Sequence, residues 1–423
     1  MSALDPTTAR TAAVAALLPA VENYPHLKPV EVDFGSLPPR DRALALAIVR
    51  AVLQRWMTIE HLLNQALHQP FKELEPTMRG VLLVGASQLL FFDRLPAYAV
   101  VNESVDLARS LVRPSAGPMV NAVLRILAKN IVTRCHTDPW TASADQIPLE
   151  DGFIQLGKMS LPETGDLIQH LAVATSHPPN LVEQWSKTYG DPQATKLCLH
   201  SLRSPPIFIA TASGYTQWTG RGEQLSQYLS LDSTRRVQDP AAGKPVQATA
   251  HLKPKIIIDF CAGRGTKTHQ LAQLHPQARI FATDGDPERL KALHATYMNH
   301  PSVTVVPLKQ LQGPADLLLL DVPCTNTAVL ARRPEARYRY TSRLLHHLVR
   351  IQRQVMNRAI TCLDTKSSVL YSTCSLEQAE NQDQTRWLAN RIDGTLKTQC
   401  MTLPDGHGPT YHDGGYFALL QRH

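Results

Sequence analysis

The sequence predicts a multidomain protein, in which an all-helical N-terminal region precedes an α/β region with a doubly wound sheet. Over the first 130 residues, apolar side chains recur every three or four positions, as they do on the buried face of a helix. From residue 251 onward, short apolar runs alternate with amphipathic stretches, a pattern typical of parallel strands covered by helices. A length of 423 residues accommodates two or three domains.

The N-terminal region is predicted to be a compact bundle of helices. A helix over residues 40–57 starts near Asp41, its predicted N-cap. The apolar positions of its buried face are Leu46, Val49, Leu53 and Trp56. Further helices are predicted over residues 75–92, from Ala99, and over residues 117–127, with prolines separating them.

Changes in composition predict four regions along the chain. Proline, aspartate, serine and threonine dominate the stretch after residue 130, which indicates a linker. The predicted regions are a helical domain over 1–130, a linker over 131–175, a small mixed α/β subdomain over 176–250, and a Rossmann-like domain over 251–423.

Charge and cysteine content narrow the functional class. A net charge of +7 indicates an anionic partner, although many basic proteins never bind nucleic acid. The seven cysteines include no C-x-x-C pair, which argues against a disulfide framework and against a zinc site. The apolar stretch Val81–Phe92 is too short to span a membrane. We therefore expect a cytoplasmic protein with reduced thiols, no metal, no membrane contact and no oligomer.

Two of the cysteines end apolar, strand-like runs. Cys324 follows LLLLDVP and Cys374 follows SSVLYST, and Ser375 is predicted to cap a helix directly after the second thiol. The carboxyl ends of strands in an open α/β sheet face the ligand crevice, so the two thiols are predicted to meet there. A single cysteine in such a place is usually core filler, but two in matching places indicate nucleophilic chemistry at sulfur.

A glycine loop and two aspartates are predicted to lie at the same edge. Gly263 and Gly265 separate a strand from a helix, and Asp284 ends the next strand about twenty residues later. A carboxylate in that place typically binds the ribose of an adenosine-containing cofactor, although glycines in such a turn also serve geometry alone. Asp321 ends the apolar run that precedes Cys324, where an unpaired buried carboxylate would be costly.

A basic run follows the first thiol. Tyr338 and Tyr340 alternate with arginines there, a combination that suits phosphate contact and base stacking on unpaired RNA. The predicted RNA-binding residues are Arg332, Arg333, Arg337 and Arg339. The alternative is a solvated charged surface.

These motifs resemble the bacterial RsmB (Sun/Fmu) family of 16S rRNA cytosine-5 methyltransferases in the NOL1/NOP2/Sun group. The stretches DFCAGRGTKT, TDGDPERL, DVPCTNTAVLARRPEARYR and LYSTCSLEQAEN follow the core motifs of that family in order. The stretch RDRALALAIVRAVLQRWMTIEHLL resembles the family's NusB-like RNA-binding domain. The resemblance implies a NusB-like domain followed by a Rossmann-like domain that uses S-adenosylmethionine as its cofactor.

The resemblance also implies roles for individual residues. Cys374 would attack C6 of the target cytosine, and Cys324 would assist loss of the C5 proton and release of the enzyme. Asp321 would hydrogen-bond the N3/N4 edge of the base, and Lys267 would lie beside Asp321 in the catalytic group. The implied cofactor-binding residues are Cys261, Ala262, Gly263, Arg264, Gly265, Thr266, Lys267, Asp284 and Asp321.

The partner implied by the resemblance is ribosomal RNA, and the helical N-terminal domain favours 16S rRNA. The same chemistry on tRNA or 23S rRNA is the alternative. A second alternative is an RNA-binding assembly factor without catalysis, because residues 262–267 replace the family's usual A-A-P-G-G-K and VTVVPLKQLQGPAD lacks the usual adenine-contacting aspartate. A dinucleotide-dependent oxidoreductase is disfavoured by the lack of a full G-x-G-x-x-G.

Overall fold

The computed structural model describes residues 7–211 and 213–423, which form two compact units. The first unit contains the chain up to Ser204 together with Leu330–Tyr340. The second contains Pro205–Val329 and Thr341–His423. Within the described residues, no helix combines the length and the apolar character that a membrane crossing requires.

Five helices begin the first unit, which confirms the predicted all-helical N-terminal region. They are α1 (Ala9–Asn23), α2 (Pro39–Ala66), α3 (Pro76–Phe91), α4 (Ala97–Leu111) and α5 (Gly117–Asn130). Thr8 caps α1 through a reciprocal pair of hydrogen bonds with Thr11. All five helices contribute to one hydrophobic core.

Helix α2 differs from its prediction at two positions. It starts after Pro38, so Asp41 lies inside the first turn and is not the N-cap. Leu46 is 50% exposed, whereas Val49 and Trp56 are buried as predicted. The buried face is centred on Ala45, Ile48 and Val52, and it turns Leu46 towards solvent.

The predicted linker over 131–175 is only partly irregular, because three strands and one helix lie within it. Its strands are β1 (Ile131–Cys135), β2 (Gln146–Pro148) and β3 (Phe153–Leu156), which form an antiparallel sheet of order β1-β3-β2. The helices that follow are α6 (Leu167–Thr175), α7 (Pro179–Tyr189) and α8 (Asp191–His200). Ile147, Ile154 and Leu156 pack into the helical core, so a few apolar positions suffice despite the polar composition. The chain passes from the first unit to the second after Ser204, so the predicted subdomain over 176–250 is divided between the two units.

The second unit begins with a small sheet. Strands β4 (Phe208–Thr211) and β5 (Gly214–Gln217) precede α9 (Gly222–Ser230), and β6 (Arg236–Val237) follows. The strands are antiparallel in the order β5-β4-β6, and α10 (Pro240–Gln247) leads into the main sheet.

The main sheet has seven strands and confirms the Rossmann-like prediction. Its elements in chain order are β7 (Ile256–Asp259), α11 (Thr266–Leu274), β8 (Arg279–Ala282), α12 (Pro287–Tyr297), β9 (Val303–Val305), β10 (Ala315–Asp321), α13 (Pro334–Tyr338), α14 (Ser342–Ala359), β11 (Leu363–Thr373), α15 (Gln382–Ile392), β12 (Gly394–Thr402) and β13 (Gly415–Arg422). Of these, α13 belongs to the first unit. The strand order is β12-β13-β11-β10-β7-β8-β9.

The sheet is mixed, whereas the sequence predicted a parallel one. Strands β7 to β11 pair in parallel, but β13 runs antiparallel to both β11 and β12. Strand β12 was missed because its exposed, polar residues lack the apolar run of a buried strand. Two hydrophobic clusters of this unit both contain residues of the central strands β7 and β10.

Candidate active site

Three central strands end beside one another and bring the predicted site residues together. Asp259 and Asp321 are the last residues of β7 and β10. In the parallel ladders Leu319 pairs with Asp259, and Asp321 pairs with Ser372 of β11. Because Cys374 follows β11 directly, its thiol reaches the same carboxyl edge of the sheet.

The thiols of Cys324 and Cys374 are in contact. Their Sγ atoms lie 3.2 Å apart, although the residues are separated by 50 positions in the chain. The hydrogen bond with Cys374, together with burial, raises the pKa of Cys324 well above its usual range. Cys324 is 8% exposed, and its raised pKa keeps this thiol protonated at neutral pH, whereas the Cys374 side chain is half-buried.

Asn326 connects the two cysteine segments. Its side-chain Nδ2 donates to the carbonyl oxygen of Cys324 at 2.9 Å, and its Oδ1 accepts from the Cys374 thiol at 3.1 Å. Its φ of +63° is left-handed, a conformation that asparagine tolerates better than other non-glycine residues. The sequence analysis did not predict this residue as part of the site.

Lys267 and Asp321 form an ion pair in the same place. Lys267 Nζ lies 2.7 Å from Asp321 Oδ2, and Ser372 donates to the other carboxylate oxygen at 2.7 Å. Burial alone would lower the pKa of Lys267, but the charge of Asp321 and the hydrogen bond to it raise that pKa above its ordinary value. An ionised Cys374 would act on Lys267 in the same direction, so the cation and the sulfur belong to one electrostatic group.

The glycine loop is a tight turn between β7 and α11. Gly263 and Gly265 both have positive φ, +58° and +86°. A Cβ at Gly265 would come within 2.5 Å of the Tyr297 ring, whereas a Cβ at Gly263 would meet nothing within 4 Å. Gly265 is therefore needed for packing, and Gly263 leaves open space beside the loop.

Asp284 lies under this loop. Its Oδ2 accepts from the Gly263 amide at 2.9 Å, and its Oδ1 accepts from the Asp286 amide at the same distance. The carboxylate thus holds the turn, and it is 8% exposed. Among the other predicted loop residues, Arg264 and Thr266 are exposed, Ala262 is buried and Cys261 is half-buried.

Carboxylates dominate the electrostatics around the loop. Burial raises the pKa of the Cys261 thiol well above its usual range, and three surrounding carboxylates add to this shift. They belong to Asp259, Asp284 and Asp321. Burial also raises the pKa of Asp259 to about 7, against a hydrogen bond of 2.7 Å from Thr268. Such a cluster favours a ligand that carries positive charge.

A buried glutamate that the sequence analysis missed holds the two cysteine loops. Glu380 accepts from the amide and the hydroxyl of Thr325, which is next to Cys324, at distances between 2.5 and 3.2 Å. Gln352 of α14 donates to the same carboxylate at 2.9 Å and to the Pro323 carbonyl at 3.0 Å. Burial raises the pKa of Glu380, and these hydrogen bonds oppose the shift. Its only signal in the sequence was its place in the stretch CSLEQAEN.

The predicted helix cap after Cys374 is wrong. Helix α15 begins at Gln382 with Asn381 at its N-cap, six residues beyond the predicted cap at Ser375. The Ser375 hydroxyl instead accepts from the Glu377 amide at 3.0 Å, which makes a local turn. The predicted influence of a helix dipole on the Cys374 thiol therefore does not apply.

The predicted basic run is only partly available to a ligand. Arg337 is fully buried in the first unit, so the prediction that it contacts RNA is corrected. Its guanidinium donates to the backbone carbonyl groups of Gln54, Thr175, Ser176, Ser201 and Leu330. Tyr338 and Tyr340 are also buried and cannot stack on a base.

The other arginines of the run stay predictions as RNA contacts. Arg333 is exposed, and Arg332 and Arg339 are half-buried. Across the described residues, no group of three or more histidine, cysteine or acidic side chains is arranged to hold a metal ion.

Two family models match the chain. Residues 248–412 match the family described as 16S rRNA methyltransferase RsmB/F, and residues 7–129 match the NusB family. The chain is 27% identical to ribosomal RNA small subunit methyltransferase B of Xanthomonas campestris, across 91% of this chain and 90% of that protein. It is 25% identical to the probable ribosomal RNA small subunit methyltransferase B of Synechocystis, across 92% and 90%.

Solved structures show the same fold. The crystal structure of PH0851 superposes with a TM-score of 0.65 and 18% identity, covering 97% of this chain and 98% of that one. A methyltransferase homolog protein from Pyrococcus horikoshii gives a TM-score of 0.50 and 17% identity, covering 61% and 99%.

Proposed function

We propose that this chain, which joins a NusB-family domain to a domain of the 16S rRNA methyltransferase RsmB/F family, methylates C5 of a cytosine in 16S rRNA with S-adenosylmethionine as the methyl donor. The observation that carries the proposal is the contact of 3.2 Å between the thiols of Cys324 and Cys374, beside the Lys267–Asp321 ion pair. Cytosine C5 is a poor nucleophile, and addition of a thiolate to C6 is a way to activate it.

The residues of the glycine loop fit the proposed cofactor. S-adenosylmethionine supplies a methyl group on a positively charged sulfonium, which the carboxylates around Cys261 would favour. Residues 261–267 would line the amino-acid part and the sugar, with open space beside Gly263. Asp284, already fixed by two backbone amides, would accept hydrogen bonds from the ribose hydroxyls through its remaining lone pairs.

The two thiols would divide the work of covalent catalysis. Cys374 would form a bond to C6, which makes C5 nucleophilic enough to take the methyl group. Cys324 would assist loss of the C5 proton to a water molecule, so that the C6–sulfur bond breaks, the Cys374 thiolate leaves and the cytosine ring is restored. The raised pKa of Cys324 supports this division, because a thiol that stays protonated is a poor nucleophile.

Asp321 and Lys267 would act on the base. Asp321 would hydrogen-bond the N3/N4 edge of the cytosine and stabilise a base protonated at N3, which can take up the electron pair as Cys374 adds to the ring. Lys267 and Ser372 hold this carboxylate from both oxygens, so its orientation is set before the base enters. The target cytosine must leave its base stack to reach the half-buried side chains of Asp321 and Cys374.

The experiment is a pair of cysteine variants incubated with 16S rRNA and S-adenosylmethionine. We expect Cys324→Ala to accumulate a protein–RNA adduct that survives denaturing electrophoresis, because the C6–sulfur bond forms but is not released. Cys374→Ala should give neither adduct nor methylated product, with activity lower by about 10³-fold or more.

The same experiment separates the proposal from its alternatives. Normal turnover by Cys324→Ala without an adduct would show that Cys324 serves packing only. An adduct with tRNA or 23S rRNA but none with 16S rRNA would keep the chemistry and replace the substrate. Calorimetry that detects no binding of S-adenosylmethionine at millimolar concentration would favour an assembly factor without catalysis.

A further inference from the structure

Helix α14 presents a strongly basic face to solvent. Its eighteen residues, SRLLHHLVRIQRQVMNRA, include four arginines and two histidines and no acidic residue. The exposed positions are Ser342, Arg343, His346, His347, Arg350, Arg353, Gln354, Asn357 and Arg358. Their spacing of three, four and seven positions places them along one side of the helix, which is about 27 Å long.

No carboxylate in the described part of the chain neutralises this face. None of the four arginines lies within salt-bridge distance of an acidic side chain there. Arg353 lies over the Trp387 ring at 5.4 Å and donates to Gln384, so it is engaged locally. Arg350 hydrogen-bonds to His347 Nδ1 at 3.4 Å. Unpaired arginines on one helical face are an electrostatic footprint for a polyanion.

The opposite side of α14 contacts the catalytic loop. Gln352 is fully buried, and its Nε2 donates to Pro323, the residue before Cys324, and to Glu380. The basic face is therefore one helix diameter away from the loop that carries a catalytic thiol. A polyanion bound along α14 would pass close to the proposed site.

We infer that the exposed face of α14 binds the sugar–phosphate backbone of the RNA substrate. The inference rests on the proposed function for the identity of the RNA. Arginine suits this contact because its planar guanidinium pairs with phosphate oxygens, and the face carries no acidic residue to repel them. The contacts are to phosphates, so they hold the strand without reading its sequence. As RNA contacts, the arginines of α14 replace the predicted Arg337, which is buried.

Salt-dependent binding tests the inference in the full-length chain. The double variant Arg343→Gln/Arg350→Gln removes two exposed charges. The matched control, Lys253→Gln/Lys255→Gln, removes two exposed charges beside the amino end of β7, at the edge of the sheet opposite the thiols. Both variants lower the formal net charge from +7 to +5, so a general loss of charge affects them equally. The probe is a labelled transcript of 16S rRNA, followed by fluorescence anisotropy between 50 and 200 mM salt.

The α14 variant should bind the transcript about tenfold or more weakly at low salt, and the KM for RNA should rise with it. The plot of log affinity against log salt should flatten by about 1.4, at about 0.7 for each phosphate contact with single-stranded RNA. The control should keep the wild-type affinity and slope. Wild-type affinity and slope in the α14 variant, or equal losses in both variants, would overturn the inference. Because binding is measured without turnover, a chain that methylates no RNA but shows this difference would refute the proposed function alone.

Discussion

At the scale of single residues, the site owes its asymmetry to different surroundings of two chemically identical thiols. Cys324 is buried and hydrogen-bonded to Cys374, which keeps its proton in place. Cys374 is more exposed and shares an electrostatic group with Lys267. Asn326 sets the relative position of the two segments, since its Nδ2 must face the Cys324 carbonyl and its Oδ1 must then face Cys374.

The raised pKa of Asp259 predicts that the stability of the second unit depends on pH. Burial raises its pKa in the folded chain to about 7, above its unfolded value of 3.8, so folding takes up a proton between these pH values. The contribution of Asp259 to stability is complete below about pH 4 and is lost as the pH rises through about 7. We expect the urea midpoint of the second unit to fall between pH 5 and pH 8.

Substitution of Asp259 isolates its contribution to the pH dependence of stability. Asp259→Asn cannot titrate, so its urea midpoint should change less with pH and exceed that of the wild type at pH 8. Asp364→Asn, which changes an exposed carboxyl group, should follow the wild-type curve. Identical pH dependence in wild type and Asp259→Asn would show that Asp259 is ionised at neutral pH.

Some site residues could be predicted from the sequence because their signals are local. An apolar run followed by a cysteine or an aspartate marks the end of a strand, and Cys324, Cys374, Asp284 and Asp321 all carry this signal. Glu380 and Asn326 carry no such signal. Their contacts join loops about fifty positions apart, and only the paired strands bring those loops together.

At the scale of elements, the segment Leu330–Tyr340 completes the packing of helix α2. The helix is kinked at Arg55, whose φ is −126°, and the hydroxyl of Tyr338 bonds to the backbone on both sides of the kink. It donates to Leu53 O at 2.7 Å and accepts from Trp56 N at 3.3 Å. Arg337 donates to the Gln54 carbonyl beside the kink and to four carbonyl groups outside α2, so this segment supplies partners for backbone groups at the kink.

Arg337 is therefore expected to stabilise the first unit. Arg337→Met keeps much of the side-chain volume but leaves the carbonyl groups without this donor, at a cost of roughly 2 kcal/mol. The melting temperature of the first unit should fall by about 4–8 °C in differential scanning calorimetry. Arg339→Gln, two residues away and half-buried, should shift it by less than about 2 °C. Equal melting of Arg337→Met and wild type would show that burial of the charge costs as much as its hydrogen bonds return.

The elements that the sequence failed to predict share a physical reason. Strands β1 to β3 are short and lie in a polar stretch, and they are held by a few side chains in a core built mainly by distant helices. Strand β12 is an exposed edge strand, so it needs no apolar run. Helices α2 to α5 and strands β7 to β11 were predictable because each buries its own repeating apolar pattern.

At the scale of the whole molecule, the two units are not consecutive in the chain. The chain leaves the second unit after Val329, contributes α13 to the first unit, and returns at Thr341. A fragment that ends at Ser204 would therefore lack Arg337 and Tyr338. The order of motifs along the sequence predicted the two main parts. It could not predict that α13 belongs to the first unit, because that placement depends on contacts between residues about 280 positions apart.

The central claim is methyl transfer to C5 of a cytosine in 16S rRNA, and analysis of the modified nucleoside tests it most directly. Unmodified ribosomal RNAs and tRNA are incubated separately with the full-length chain and S-adenosylmethionine that carries a labelled methyl group. The nucleosides of each RNA are then separated and identified by mass spectrometry. The account predicts label in 5-methylcytidine from 16S rRNA, and none with the Cys374→Ala variant. Label in another nucleoside, label confined to tRNA or 23S rRNA, or no label in any RNA would contradict it.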